Sequence, residues 1–195
     1  SSDLWKMTKK TDKKSGSRGL HVTVKTAKKR SNSSARWLAR QLNDPYVAKA
    51  RAEGYRSRAA FKLLDLDEKF HLLAPGMKVV DLGCAPGGWS QVAVAKVGAA
   101  GKVVGCDLLA VPEVPGATLI VQDFLAEDAP QIMKDLLGGR ADLVMSDMAA
   151  NATGHTPTDH LRIMHLCDIA YLFATEILAP GGAFVCKVLK GGTES

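Results

Sequence analysis

The clearest structural signal in the chain is Val79-Val80-Asp81-Leu82-Gly83-Cys84-Ala85-Pro86-Gly87-Gly88-Trp89-Ser90-Gln91. Its first residues belong to a short apolar run over 78–82, which is typical of a buried strand, and a helical pattern follows over 91–97. The glycines between them let the backbone approach a ligand, because no Cβ stands in the way. A strand, a glycine-rich turn and a helix in this order predict a ligand-binding crossover of an α/β domain.

The rest of the chain repeats this alternation of strands and helices. Further strands are predicted at residues 102–106, 118–121, 142–145 and 183–189, and further helices at 129–137 and 161–178. Before the first strand, helices are predicted at 36–42, at 46–51 and at 58–70, the last of them capped by Ser57. Near-continuous apolar strands separated by helices indicate a parallel sheet covered on both faces. We therefore predict a doubly wound, mostly parallel, Rossmann-like α/β fold.

Charged side chains stand at the ends of several predicted strands. Asp107, Asp123 and Asp147 each come just after a strand, and Lys187 lies within the fifth strand, near its end. Ligands of doubly wound folds bind outside the carboxyl ends of the strands. The four groups therefore predict a polar site at one edge of the sheet.

The glycine-rich turn indicates which cofactor this edge would bind. A dinucleotide site needs the spacing G-x-G-x-x-G, and Ala85 stands where the second glycine would admit a pyrophosphate. Asp81, two residues before Gly83, would repel a phosphate and attract the sulfonium and ammonium groups of S-adenosylmethionine. Asp107 is placed to accept hydrogen bonds from ribose hydroxyls. Asp123 is placed to accept one from the adenine amino group, and a loop cap explains it equally well.

Basic residues concentrate in the amino-terminal third. Residues 1–62 contain 17 of the 26 Lys and Arg residues and only 4 of the 20 Asp and Glu residues. This imbalance predicts a polyanionic partner, with a solvated tail and a charged helix face as the alternative. Residues 1–35 carry few large apolar groups, so we expect a flexible basic segment there and a single domain over residues 36–195.

The composition disfavours several classes of protein and site. No apolar run approaches the roughly 20 residues of a membrane helix, and the start lacks the apolar core of a signal peptide. We therefore expect a cytoplasmic protein with no membrane partner. The four cysteines form no C-x-x-C pair and the histidines lack ligand spacing, so no metal site is expected.

Together with five further motifs, the glycine-rich segment resembles the FtsJ/RrmJ family of ribose 2′-O-methyltransferases. These motifs are Arg56-Ser57-Arg58-Ala59-Ala60-Phe61-Lys62-Leu63, Cys106-Asp107-Leu108-Leu109, Val144-Met145-Ser146-Asp147-Met148-Ala149, Leu178-Ala179-Pro180-Gly181-Gly182, and Lys28-Lys29-Arg30-Ser31 with Ser34-Ala35-Arg36-Trp37-Leu38. The resemblance runs from about residue 28 to residue 190. It implies an S-adenosylmethionine-dependent enzyme that methylates the ribose of a uridine in the ribosomal RNA of the large subunit. We expect this enzyme to be a monomer.

The resemblance also implies the residues of the site. The family's reaction centre is a Lys-Asp-Lys-Glu tetrad, whose first three members match Lys62, Asp147 and Lys187. The family's cofactor contacts match Gly87, Trp89, Asp107, Asp123 and Asp147, to which the turn itself adds Asp81 and Gly83.

One part of the family pattern has no counterpart. The chain stops at Ser195, so the fourth member of the tetrad, a Glu on a late strand, and the family's last two strands are missing. We therefore expect a carboxyl-terminal part outside this sequence, and an exposed edge of the sheet without it.

The residues suggest how methyl transfer would proceed. A ribose 2′-hydroxyl is protonated at neutral pH, so the enzyme must align it and remove its proton. Lys187 is the candidate base, Asp147 would orient it, and Lys62 would steady the oxyanion or a neighbouring phosphate. Phosphate contacts are expected from Lys28, Lys29, Arg30, Arg36, Arg40, Arg56 and Arg58.

Three alternatives remain open at this point. The first is the same fold acting on another RNA, a protein amine or a small molecule, although amine methylation needs no lysine base. The second is a non-catalytic RNA-binding module, and the third is an NAD-dependent oxidoreductase. RNA is favoured over DNA because the chemistry requires the 2′-hydroxyl.

Overall fold

The computed structural model describes residues 44–150 and 153–188, in a chain that divides into two compact units, Ser1–Gly54 and Tyr55–Ser195. In the described part of the first unit lies helix α1 (Pro45–Ala52). The Asp44 side chain accepts a hydrogen bond from the Tyr46 N–H at 2.9 Å and caps this helix. The helix predicted over residues 46–51 is thereby confirmed, and the one predicted over 36–42 lies outside the described residues.

The second unit alternates strands and helices from residue 59 onward. In chain order its elements are α2 (Ala59–Phe70), β1 (Lys78–Leu82), α3 (Gly88–Val97), β2 (Lys102–Asp107), β3 (Ala117–Val121), α4 (Ala129–Leu137), β4 (Ala141–Ser146), α5 (Thr156–Ile177) and β5 (Leu178–Cys186). No helix in the described ranges is both long enough and apolar enough to cross a membrane.

The five strands form one parallel sheet in the order β3-β2-β1-β4-β5. The chain moves outward from the central strand β1 through β2 to β3, then returns to the other side of β1 with β4 and β5. The point where the order reverses lies between β1 and β4, and a crevice opens there at the carboxyl ends of the strands. The fold is therefore the doubly wound, Rossmann-like α/β fold predicted from the sequence.

Two hydrophobic clusters cover the two faces of the sheet. On the first face, α2 and α3 pack on alternate strand residues that include Val79, Leu143 and Met145. On the second face, α4 and α5 pack on the residues between them, such as Val80 and Val144. Side chains of a strand alternate between the two faces of a sheet, and Met148, just past β4, still packs on the second face with Val144.

A buried carboxylate joins α2 to α3 on the first face. Asp67 accepts a hydrogen bond from the Leu73 N–H at 2.8 Å and pairs with Lys96 of α3 at 2.7 Å. Burial alone would raise the pKa of Asp67, but the hydrogen bonds from Lys96 and Leu73 outweigh it and the pKa is lowered. Asp67 thus links the end of α2 to α3.

The structure corrects several boundaries predicted from the sequence. Ser57 does not cap α2; the N-cap residue is Arg58, whose side chain makes no capping hydrogen bond. The Ser57 hydroxyl packs against Gly88 instead, so closely that a Cβ on this glycine would lie 2.4 Å from the hydroxyl oxygen. Helices α3 and α5 begin earlier than predicted. Strand β5 begins at Leu178 and ends at Cys186, so Lys187 follows the strand instead of lying within it.

Candidate active site

A cavity of about 520 Å³ opens at the carboxyl ends of the strands. Its volume lies within the usual range for small-molecule sites. The residues that line it come from the β1 turn, the ends of β2 and β3, the segment after β4 and the first turns of α5: Gly83, Cys106, Asp107, Leu108, Gln122, Asp123, Phe124, Leu125, Met148, Ala149, Ala150, Thr158, Leu161, Arg162, His165 and Leu166.

Glycine is required at two positions of the turn after β1. Gly83 has a φ of +77°, and a Cβ there would lie 2.7 Å from the backbone nitrogen of Met148. Gly87 has a φ of +104° and is the N-cap of α3. Without a Cβ, Gly83 lets the turn lie close to the segment after β4. Gly87 begins α3, whose first amides, as in any helix, have no partner within the helix.

Three predicted cofactor contacts, Gly83, Asp107 and Asp123, line this cavity. The other predicted contacts are not among its lining residues: Asp81, Gly87, Trp89 and Asp147. The Asp107 carboxylate accepts hydrogen bonds from the Ala85 N–H at 2.9 Å and the Leu109 N–H at 2.8 Å. It therefore joins the glycine-rich turn to the end of β2. Asp123 accepts one from the Leu125 N–H at 2.9 Å, so the loop-cap interpretation is correct, and the carboxylate nevertheless remains exposed in the cavity.

The structure corrects the expected orientation of Asp81. This residue is fully buried, outside the cavity lining, and its carboxyl accepts a hydrogen bond from the Ser90 hydroxyl of α3 at 2.6 Å. Burial raises the pKa of Asp81 to about 7; the Ser90 hydrogen bond opposes this, and the charges of Asp147 and Asp107 add to it. Asp81 thus faces α3, because it continues the alternation of Val79 in β1.

Trp89 also has a structural contact that the sequence did not predict. Its indole is buried, and its Nε1–H donates a hydrogen bond to the Ala59 carbonyl at 2.8 Å. The ring therefore packs α3 against α2. A cofactor contact from Trp89 would have to come from its backbone amide, in the first turn of α3.

Asp147 and Lys187 form an ion pair, and Met148, the residue after Asp147, lines the cavity. The register of the sheet explains their meeting, because Ser146 of β4 is paired with Cys186 of β5 and the next residues are these two. The Lys187 N–H donates to the Ser146 carbonyl at 2.9 Å, and the Lys187 ammonium also donates to the Asp147 carbonyl at 3.3 Å. Both side chains are about one-quarter exposed, so a ligand has access to them.

Lys62 is not in contact with this pair. It lies on the exposed side of α2, and within the described residues it has neither an ion pair nor a hydrogen bond. Helix α2 nevertheless packs on the first face of the sheet, and alternation from Met145 predicts that Asp147 emerges on that same face. The structure thus brings together two of the three predicted reaction-centre residues and places Lys62 on a neighbouring element.

The predicted RNA contacts divide into two groups. Lys28, Lys29, Arg30, Arg36 and Arg40 lie outside the described residues. Arg58 is exposed, whereas the Arg56 guanidinium donates hydrogen bonds to the carbonyls of Pro112 and Glu113. Within the described ranges, no three His, Cys, Asp or Glu side chains are grouped so that they could hold a metal ion.

Comparison with known proteins decides the family of this site. The sequence profile of the FtsJ-like methyltransferases matches residues 55–195. The chain belongs to this family. The ribosomal RNA large subunit methyltransferases E of Parvibaculum lavamentivorans and Paramagnetospirillum magneticum are each 62% identical to it, over 190 and 184 residues. In both comparisons the alignment covers 92% of this chain and 75% of the relative.

A solved structure agrees with this assignment. The crystal structure of a protein described as a ribosomal RNA methyltransferase of Plasmodium falciparum has a TM-score of 0.63 and 27% sequence identity to the chain. The match covers 71% of this chain and 80% of that one. The family resemblance and the methyltransferase activity inferred from the sequence are therefore confirmed.

One wall of this FtsJ-like methyltransferase's cavity was missed by the sequence analysis. Leu161, Arg162 and His165, in the first half of α5, line the cavity. Leu161 is 68% exposed, which is unusual for a large apolar residue and marks the rim of a ligand site. The sequence predicted a helix over residues 161–178 but gave no signal that its first turns face a ligand.

Proposed function

We propose that this FtsJ-like methyltransferase transfers the methyl group of S-adenosylmethionine to the ribose 2′-hydroxyl of a uridine in the ribosomal RNA of the large subunit. The observation that carries the proposal is the Asp147–Lys187 ion pair at the ends of adjacent strands, next in sequence to the cavity-lining residue Met148. A base next to a cofactor site is what transfer to a weakly acidic hydroxyl requires. The curated relatives, named ribosomal RNA large subunit methyltransferases, support the choice of RNA.

The cavity's chemistry fits S-adenosylmethionine, which supplies an activated methyl group when bound. Asp107 and Asp123 offer carboxylates to hydroxyl and amino groups, and neither favours a phosphate. Leu108, Leu125 and Leu161 are exposed leucines on the cavity wall, and such apolar surface suits a flat heteroaromatic ring. Asp81 would favour a cationic ligand only at a distance, because its side chain is enclosed against α3.

Each residue of the reaction centre has a distinct proposed role. Lys187 would accept the proton of the 2′-hydroxyl in its neutral form, oriented by a hydrogen bond that its amine donates to Asp147. The ammonium that forms would then be held by the ion pair with Asp147. Lys62, on the exposed side of α2, would approach the RNA and steady a phosphate or the oxyanion. The predicted phosphate contacts other than Arg56 would make RNA binding sensitive to salt. They come from the basic segment over residues 1–35 and, like Arg58, from the methyltransferase domain over residues 36–195.

Methyl transfer from a tritiated donor to ribosomal RNA tests the proposal when three variants are compared. Lys187→Arg keeps a cation opposite Asp147 but cannot act as a base, since arginine stays protonated. Lys187→Ala removes both properties. Lys134→Ala, which removes the ion pair of Lys134 with Glu176 at 2.6 Å, is the control for the loss of any paired lysine.

We expect both Lys187 variants to lose transfer by at least about a hundredfold while cofactor affinity changes little, and Lys134→Ala to remain active. Equal activity of Lys187→Arg and the wild type would remove Lys187 as the base. Failure of the wild type to bind S-adenosylmethionine would contradict the proposed cofactor itself.

A further inference from the structure

Arg56 makes a set of contacts that the proposed reaction does not use. Its guanidinium donates hydrogen bonds to the carbonyls of Pro112 and Glu113, and a longer one, of 3.5 Å, to the carbonyl of Pro86. Its backbone N–H donates to the Gln91 side chain of α3 at 2.9 Å. The residue thus links three parts of the chain that lie 30 to 57 positions away from it.

The two segments that the Arg56 guanidinium joins, the glycine-rich turn and the loop between β2 and β3, both border the cavity. Pro86 belongs to the glycine-rich turn, of which Gly83 lines the cavity. Pro112 and Glu113 belong to the loop between β2 and β3. The first residue of this loop, Leu108, and the last residue of β2, Asp107, both line the cavity. On the inner side the same two segments are already joined, because the Ala85 N–H donates to the Asp107 carboxylate.

The space around the guanidinium is shaped for it. A Cβ on Gly87 would lie 2.9 Å from the Arg56 Nη1 atom and 3.3 Å from its Cδ atom. Gly87, which also needs its φ of +104°, therefore leaves room for the arginine at the start of α3. A side chain that is packed against the turn and donates to carbonyls on two segments is held by many contacts at once.

We infer that Arg56 is a positioning residue that holds the glycine-rich turn and the β2–β3 loop at the separation the cofactor requires. This inference rests on the proposed function, and it replaces the phosphate contact expected of Arg56 from the sequence. A planar guanidinium fork can serve several carbonyls in fixed directions, whereas a lysine ammonium is a point charge on a flexible stem. Three of the five guanidinium N–H groups donate to these carbonyls, which leaves two for any other acceptor.

The test compares Arg56→Ala and Arg56→Lys with Arg140→Ala. Arg140 donates to the Leu178 carbonyl at 2.9 Å just before β4, at the opposite end of the strands, so its variant controls for the loss of an arginine–carbonyl bond in general. We expect Arg56→Ala to weaken calorimetric binding of S-adenosylmethionine and raise its KM by on the order of tenfold or more, as hydrogen bonds to charged groups predict. The kcat at saturating cofactor should stay within about twofold of the wild type.

Two further readouts separate positioning from a general structural role. Arg56→Lys should restore part of the cofactor affinity, and Arg140→Ala should leave it unchanged. In filter binding of ribosomal RNA over a range of salt concentrations, Arg56→Ala should keep the wild-type affinity and salt slope.

The inference is overturned if Arg56→Ala keeps its cofactor affinity and instead loses RNA affinity with a shallower salt slope, as a phosphate contact would. The inference is also overturned if Arg56→Lys binds the cofactor as weakly as Arg56→Ala and Arg140→Ala loses the same amount of cofactor affinity. If the wild type itself does not bind S-adenosylmethionine, the proposed function fails first, and the inference with it.

Discussion

Replacing Asp81 by Asn should make the stability of this domain less sensitive to pH. In the wild type, the carboxyl is fully buried under the glycine-rich turn and has a single side-chain donor, the Ser90 hydroxyl. Burial raises its pKa from 3.8 to about 7. Asparagine has nearly the shape of the neutral carboxyl and its oxygen can accept the Ser90 hydrogen bond, but it carries no charge at any pH.

The direction and size of the effect follow from linkage. The pKa of Asp81 is higher in the folded state than in the unfolded state, so the folded state binds the extra proton between about pH 4 and pH 7. The contribution of Asp81 to the free energy of unfolding is therefore largest at low pH, falls as the pH rises and levels off above pH 7. From pH 5 to pH 8 the loss is about 3 kcal/mol, an upper figure for one buried group.

Urea denaturation of the cofactor-free protein at pH 5, 6, 7 and 8 measures this directly. The Asp81→Asn variant should gain stability relative to the wild type by up to about 3 kcal/mol between pH 5 and pH 8. The matched control is Asp65→Asn, which makes the same replacement at an exposed position of α2. A constant difference for Asp81→Asn would refute the assignment of a neutral carboxyl beneath the turn.

Further variants test the packing around the site. Gly83→Ala should be destabilised by about 1–3 kcal/mol, because alanine is strained at a φ of +77° and its Cβ would press on the Met148 backbone; thermal unfolding and cofactor calorimetry would detect both effects. Asp67→Asn should lower the free energy of unfolding by about 1–3 kcal/mol at neutral pH, because the ion pair with Lys96 is lost. Since the pKa of Asp67 is lowered in the folded protein, the difference from the wild type should shrink as the pH falls below 3.8. Phe173→Ala should lose about 3–5 kcal/mol in urea denaturation, since its ring is buried in the core; a loss below about 1 kcal/mol would contradict that placement.

The sequence predicted those elements whose pattern is local. Strand β1 and helix α4 match their predicted ranges, because a short apolar run and a strongly amphipathic segment with flanking glycines each define their own limits. Strand β5 was predicted too late. Its start contains Pro180, Gly181 and Gly182, which indicate a turn, whereas the parallel pairing of Leu178 with Ala141 makes this segment part of the sheet. Tertiary pairing outweighs local preference there.

The candidate site was predictable to the extent that it depends on topology. The carboxyl ends of parallel strands meet at one edge, so the order of strands and helices along the chain is enough to place Asp107, Asp123 and Asp147 together. Contacts between distant segments carry no such local signal. The side chains of Arg56 and Trp89 were therefore given ligand roles from motif position alone, while their observed partners are the carbonyls of Glu113 and Ala59.

The position of the transferred methyl group tests the central claim most directly. Ribosomal RNA treated with the enzyme and labelled S-adenosylmethionine would be digested to nucleosides and separated by mass spectrometry. We expect the label on a ribose 2′-oxygen, with none above background from the Lys187→Arg variant. Label on a base, or undiminished labelling by that variant, would contradict catalysis by the Asp147–Lys187 pair.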